Sequence, residues 1–115
     1  MMTTTIYHNP RCSKSRQTLA LIEEKGISPR IVEYLQTPPD AATLRDILTK
    51  LGKGPKDIVR VKEAREEGLD IAALDDDAVI AAMVAHPRII ERPIVVKNGK
   101  AALGRPPESV LDILL

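Results

Sequence analysis

Aromatic residues are nearly absent from this chain, which has two tyrosines, no phenylalanine and no tryptophan in 115 residues. A core must therefore be assembled from Leu, Ile, Val, Ala and Met, and the stacking platforms that hold unpaired bases have nothing to be made from. An excess of either charge is also missing. A formal net charge of +1 exerts no general pull toward nucleic acid or an anionic membrane. No run approaches the ~20 apolar residues of a membrane helix, and no N-terminal apolar stretch reads as a signal peptide. Cysteine occurs once, at Cys12, so an internal disulfide is excluded. These absences set the expectation of a soluble, cytoplasmic protein with no nucleic-acid or membrane partner. The length suits a single domain over residues 1–115, large enough for a core without disulfide or metal staples.

The cysteine that is present sits in an unusual place. The segment His8-Asn9-Pro10-Arg11-Cys12-Ser13-Lys14-Ser15-Arg16 lies where a β-prone run (residues 3–7) gives way to a helical pattern (residues 13–25). A thiol at the start of a helix meets unpaired backbone N–H groups and the positive end of the macrodipole. Both favour the thiolate, and nearby cations act in the same direction. Arg11, Lys14 and Arg16 are the expected source of that charge. A buried structural cysteine, the usual state of a lone thiol, would not be flanked by residues this costly to bury. Ser15 falls on the same helix face as Cys12, so its hydroxyl is expected to hydrogen-bond to the sulfur.

The remaining chain reads as alternating strands and helices. Gly26 follows the first helix as a C′ residue, with Leu19, Ile22 and Leu21 expected to be buried, and a second strand spans residues 30–34. A strand, a helix and a strand in about 35 residues form a right-handed βαβ unit, with Cys12 at the carboxyl edge of the first strand, where ligands of such sheets bind. Leu44, Ile47, Leu48 and Leu51 make one helical stripe, and residues 56–67 read as short helical turns. Asp75-Asp76-Asp77 reads as a helix start favoured by the dipole, with no histidine at ligand spacing, so no metal site is expected. An apolar run, Asn98-Gly99 and a second apolar run predict a hairpin. Pro106 or Pro107 then opens the last helix.

Arg92 and Arg105 each precede a proline and flank that hairpin. A thiolate with convergent arginines is what attack on an oxyanion requires, because the guanidinium groups offset the guest's charge while sulfur attacks its centre. Spacing along the chain leaves open whether Arg60, Arg92 and Arg105 converge. A phosphatase-type loop would need an arginine six residues after the cysteine, and Thr18 stands there. With no second cysteine, any adduct on Cys12 must be released by an external thiol, for which glutathione or a small dithiol protein is the natural supplier.

The chain resembles the glutaredoxin-coupled arsenate reductase family of bacteria over nearly its whole length. The resemblance is carried by residues 6–16, Glu33-Tyr34-Leu35, Arg92-Pro93-Ile94-Val95-Val96, Gly104-Arg105-Pro106-Pro107 and Val110-Leu111-Asp112-Ile113. It implies an α/β, thioredoxin-like fold: a four-stranded mixed sheet with helices on both faces and an inserted helical block. It further implies that Cys12 attacks arsenate, that glutathione adds as co-substrate, and that glutaredoxin reduces the mixed species so that arsenite leaves. No tightly bound cofactor is implied. Arg60, Arg92 and Arg105 would hold the oxyanion, His8 would join the network that favours the thiolate, and Pro93 matches the cis-proline beside thioredoxin-like sites. Two alternatives stand beside this reading. One is a monothiol glutathione-dependent reductase or thiol transferase of another substrate. The other is a thioredoxin-fold regulator of RNA polymerase, whose usual C-x-x-C switch is precluded here by Ser15.

Overall fold

A computed structural model describes residues 3–114. They divide into two compact units, one built from the chain up to Thr37 and from Arg92 onward, the other spanning Pro38–Glu91.

The first unit holds the sheet. Strand β1 (Thr4–His8) leads into helix α1 (Ser13–Glu24), and β2 (Arg30–Glu33) returns alongside β1. After the second unit come β3 (Ile94–Lys97) and β4 (Lys100–Leu103), then a 3₁₀ turn (Pro107–Val110) that runs into helix α5 (Leu111–Leu114). The sheet order is β2-β1-β3-β4. β1 pairs with β2 in parallel and with β3 antiparallel, and β3 pairs antiparallel with β4. This is the mixed four-stranded sheet expected from the sequence. The β3–β4 turn places both Asn98 (φ 53) and Gly99 (φ 75) in the left-handed region, as a two-residue hairpin with the native strand twist demands.

Alternation along β1 buries Thr4, Ile6 and His8 on one face. Ile6 and its register partner Val95 pack there with Ile22 of α1 and with Val110 and Leu114 of the C-terminal turns. Leu19 joins this core half-buried. Leu21 is also only half-buried, and the fully enclosed side of α1 is instead Ser15, Thr18 and Ile22. Two hydroxyls therefore occupy positions where a hydrophobic pattern has no voice, and each is buried with a hydrogen bond, which removes most of the cost.

The second unit has its own apolar core. Helix α2 (Ala41–Leu51) buries Leu44, Ile47 and Leu48; Asp40 caps it by accepting from the Thr43 N–H at 2.8 Å, and Gly52 ends it in the left-handed region. Helix α3 (Val61–Glu66) is short, and α4 (Asp76–Ala85) starts on the cap Asp75, whose side chain accepts from the Ala78 N–H. The expected turns between residues 56 and 67 are thus a 3₁₀ turn (Pro55–Ile58) followed by α3. Among the described residues no helix is long and apolar enough to cross a membrane.

Candidate active site

Cys12 is the residue that caps the N-terminus of α1, and its extended backbone (φ −93, ψ 123) aims the chain into the helix. The loop before it is a tight Asx-type turn: Asn9 Oδ1 accepts from the Arg11 N–H at 3.0 Å while Asn9 O accepts from the Cys12 N–H at 3.0 Å. Short polar side chains stabilise such turns by standing in for backbone. The thiol is half-buried. Burial pushes it up, but the backbone N–H of Ser15, the hydrogen bond and charge of Arg92, and the N–H of Lys14 outweigh that effect. Cys12 therefore ionises below the ordinary thiol range, as a helix N-terminus with a cation permits.

Two expectations about this loop are corrected. The Ser15 hydroxyl does not serve the sulfur. Its Oγ lies 2.6 Å from His8 Nδ1 and accepts from the Asn9 N–H at 3.0 Å, so the backbone N–H of Ser15 is what reaches Cys12. The reason is the buried face of α1, which turns the Cβ of Ser15 toward β1. The cation acting on the sulfur is also not one of the flanking three. Arg16 donates through Nη1 to Pro10 O at 2.9 Å, tying the loop together, and Arg92 supplies the charge.

His8 is buried at the end of β1. Burial lowers its pKa below 6.5, with Glu33 opposing and Arg16 adding to the fall. The lowered pKa favours the uncharged ring, whose Nδ1 shares a hydrogen bond with the Ser15 hydroxyl. His8 thus acts on the site through Ser15 and the loop backbone.

The opposite wall comes from the segments bracketing the hairpin. Arg92-Pro93 and Arg105-Pro106 are both cis. Arg105 donates through Nε to Arg92 O at 2.8 Å, and its Nη2 lies 3.8 Å from Cys12 Sγ. Arg92 and Arg105 thus meet at the thiol, a convergence that spacing left open. Gly104 locks this wall to the helix: its N–H donates to Pro93 O at 2.9 Å, and a Cβ there would collide with Thr18 Oγ1 and come within 2.6 Å of Pro93 Cγ. Neither Gly104 nor Thr18 was singled out from sequence, although a glycine beside an Arg-Pro step was the available sign. Arg60 belongs to the second unit, where it is held by Glu63 (Nε to Oε2, 3.1 Å) and Glu91 (Nη1 to Oε1, 2.8 Å). Although burial lowers the guanidinium's pKa, those carboxylates more than compensate and raise it.

One thiol at the head of the first helix of a βαβ unit, faced by a cis-proline loop, defines a monothiol domain of the thioredoxin-like class. Comparison with known proteins narrows the class. The ArsC family model matches residues 7–113, and the chain belongs to the ArsC family. It is 55% identical over 112 residues to the uncharacterized protein YfgD of Escherichia coli (strain K12), covering 95% of this chain and 94% of that one. An arsenate reductase of Neisseria meningitidis serogroup B is 52% identical, covering 95% of this chain and 96% of its own. The solved structure of arsenate reductase from Vibrio cholerae superposes with a TM-score of 0.92 at 50% identity, over 97% of this chain and 98% of that one.

Proposed function

We propose that this protein reduces arsenate to arsenite in the cytoplasm, with Cys12 as nucleophile and glutathione and glutaredoxin as the source of electrons. The observation that carries the reading is the meeting of Arg92 and Arg105 at a thiol that ionises readily. An anion drawn to those guanidinium groups would be brought against the sulfur. The thiolate attacks arsenic and forms an S–As bond as hydroxide leaves. Glutathione then displaces a second hydroxide, which takes the thiol proton and departs as water. A glutaredoxin thiolate attacks the glutathionyl sulfur, the bond between that sulfur and arsenic breaks, and its electron pair stays on arsenic, reducing As(V) to As(III) while arsenic remains on Cys12. Water finally releases arsenite and restores Cys12. Over the cycle, arsenate and two thiols give arsenite, one disulfide and water.

Arg92 and Arg105 hold the oxyanion in this scheme, and the resemblance assigns Arg60 to the same task. His8 and Ser15 fix the loop that presents the N–H groups of Lys14 and Ser15, with Arg11, Arg16 and Pro93 in support. The test is NADPH consumption coupled through glutathione reductase, with arsenate, glutathione and glutaredoxin present. Turnover that requires arsenate and is abolished by Cys12→Ser is expected, since a hydroxyl is a far poorer nucleophile near neutral pH. Arsenate-independent turnover of a disulfide substrate would favour the thiol-transferase reading instead.

A further inference from the structure

We infer that the cleft beside the Cys12 loop is the seat of the γ-glutamyl end of glutathione, with Glu33 receiving its ammonium group and Arg11 its α-carboxylate. This deepens the proposed function, because it rests on an external thiol having to reach an adduct on Cys12. The cleft measures about 170 Å³ and lies wholly within the first unit. It is lined by His8, by Asn9, Pro10 and Arg11 of the loop that follows β1, and by Glu33, Leu35 and Gln36 at the end of β2. Pockets that enclose a whole drug-sized ligand run to roughly 300–1,000 Å³, so this one takes an end of a tripeptide. The end it suits is zwitterionic. A cation, Arg11, and an anion, Glu33, line it from two different segments, the side-chain amide of Gln36 can donate and accept, and Leu35 (43% exposed) offers an apolar contact for the methylenes.

Placement supports the same occupant. His8 and Glu33 are register partners in the parallel β1–β2 pair, so their side chains leave the sheet on one side, beside the loop that ends in Cys12. Among the described residues the Arg11 guanidinium has no ion-pair partner and Leu35 is one of the few large apolar side chains left exposed. From the γ-glutamyl Cα to the cysteinyl sulfur is an arm of about seven bonds, roughly 9 Å when extended, whereas Cα atoms of neighbouring residues such as Arg11 and Cys12 lie about 3.8 Å apart. The arm is thus longer than the single residue step that separates Arg11, which lines the cleft, from Cys12. Held this way, the reacting thiol forms its S–As bond by displacing hydroxide from the adduct, which leaves with the thiol proton as water.

The experiment titrates S-methylglutathione, which cannot react, onto the intact chain and follows backbone amides by ¹⁵N NMR. Shifts confined to residues 9–12 and 33–36 are expected, with binding about threefold to fivefold weaker for Glu33→Gln, the size of one solvent-exposed charge contact. Acetylating the ligand's ammonium should weaken binding to the native chain by a similar factor and have no further effect on Glu33→Gln. Shifts elsewhere, or equal binding of the acetylated ligand, would overturn the inference. So would a response of these segments to glutaredoxin alone, which would make the cleft a protein-docking surface. Tripeptide binding here in a chain that fails to reduce arsenate would uphold the cleft and sink the proposed reaction.

Discussion

Replacing Ser15 with alanine separates the fold of the site from its chemistry. The hydroxyl is buried, lies 2.6 Å from His8 Nδ1 and accepts from the Asn9 N–H at 3.0 Å. Removing it leaves two enclosed polar groups without that partner, and each such group costs about 1–3 kcal/mol. Partial relaxation keeps the total to roughly 2–4 kcal/mol. A small protein loses about 1–3 kcal/mol of stability per molar urea, so the unfolding midpoint should fall by about 1–2 M. The backbone N–H of Ser15, which acts on Cys12, survives the substitution. Alkylation of Cys12 measured against pH below the denaturing range should therefore keep nearly its native inflection. A midpoint shift under about 0.3 M, or an inflection displaced as far as in Arg92→Ala, would refute the division of labour between hydroxyl and amide.

Three further outcomes follow from the same geometry. Arg92→Ala should move the Cys12 alkylation inflection upward, because it removes both a hydrogen bond and a charge from the thiolate; an unmoved inflection would assign the cation elsewhere. Gly104→Ala should destabilise by about 1–3 kcal/mol through overpacking against Pro93 and Thr18, and Thr18→Ala in the same chain should recover part of the loss in a thermal melt. His8 has a folded pKa below 6.5, so the unfolded chain binds its proton more readily. Stability from this group is whole above 6.5 and is lost as pH falls toward the folded value. Urea midpoints measured from neutral pH downward should fall less steeply in His8→Asn than in the native chain.

What could be read in advance depended on whether a residue's role was local. The stripe of α2, the helix start at Asp75-Asp76-Asp77 and the Asn98-Gly99 turn state their geometry within a few neighbours, and the structure has them as expected. The place of Cys12 was legible for the same reason, as a thiol at a strand-to-helix junction. The partners of that thiol were not. Arg105 reaches Cys12 from 93 residues away along the chain, and only the antiparallel pairing of β3 with β1 brings its hairpin there. Ser15 and Thr18 were invisible to hydrophobic periodicity, since a buried hydroxyl carries no apolar signature until its hydrogen bonds are known. Gly104 showed only as a glycine beside an Arg-Pro step, and the close approach of Thr18 and Pro93 that explains it is a fact of packing.

The account stands on a sulfur that ionises more readily than an ordinary thiol and, in the proposed function, meets an anion held by Arg92 and Arg105. Its most direct test is the rate of Cys12 alkylation by iodoacetamide as a function of pH, with and without arsenate. An inflection below the ordinary thiol value of about 8.5, and protection by arsenate that is lost in Arg105→Ala, is the predicted result. An inflection at about 8.5 or higher, with arsenate giving no protection, would contradict it.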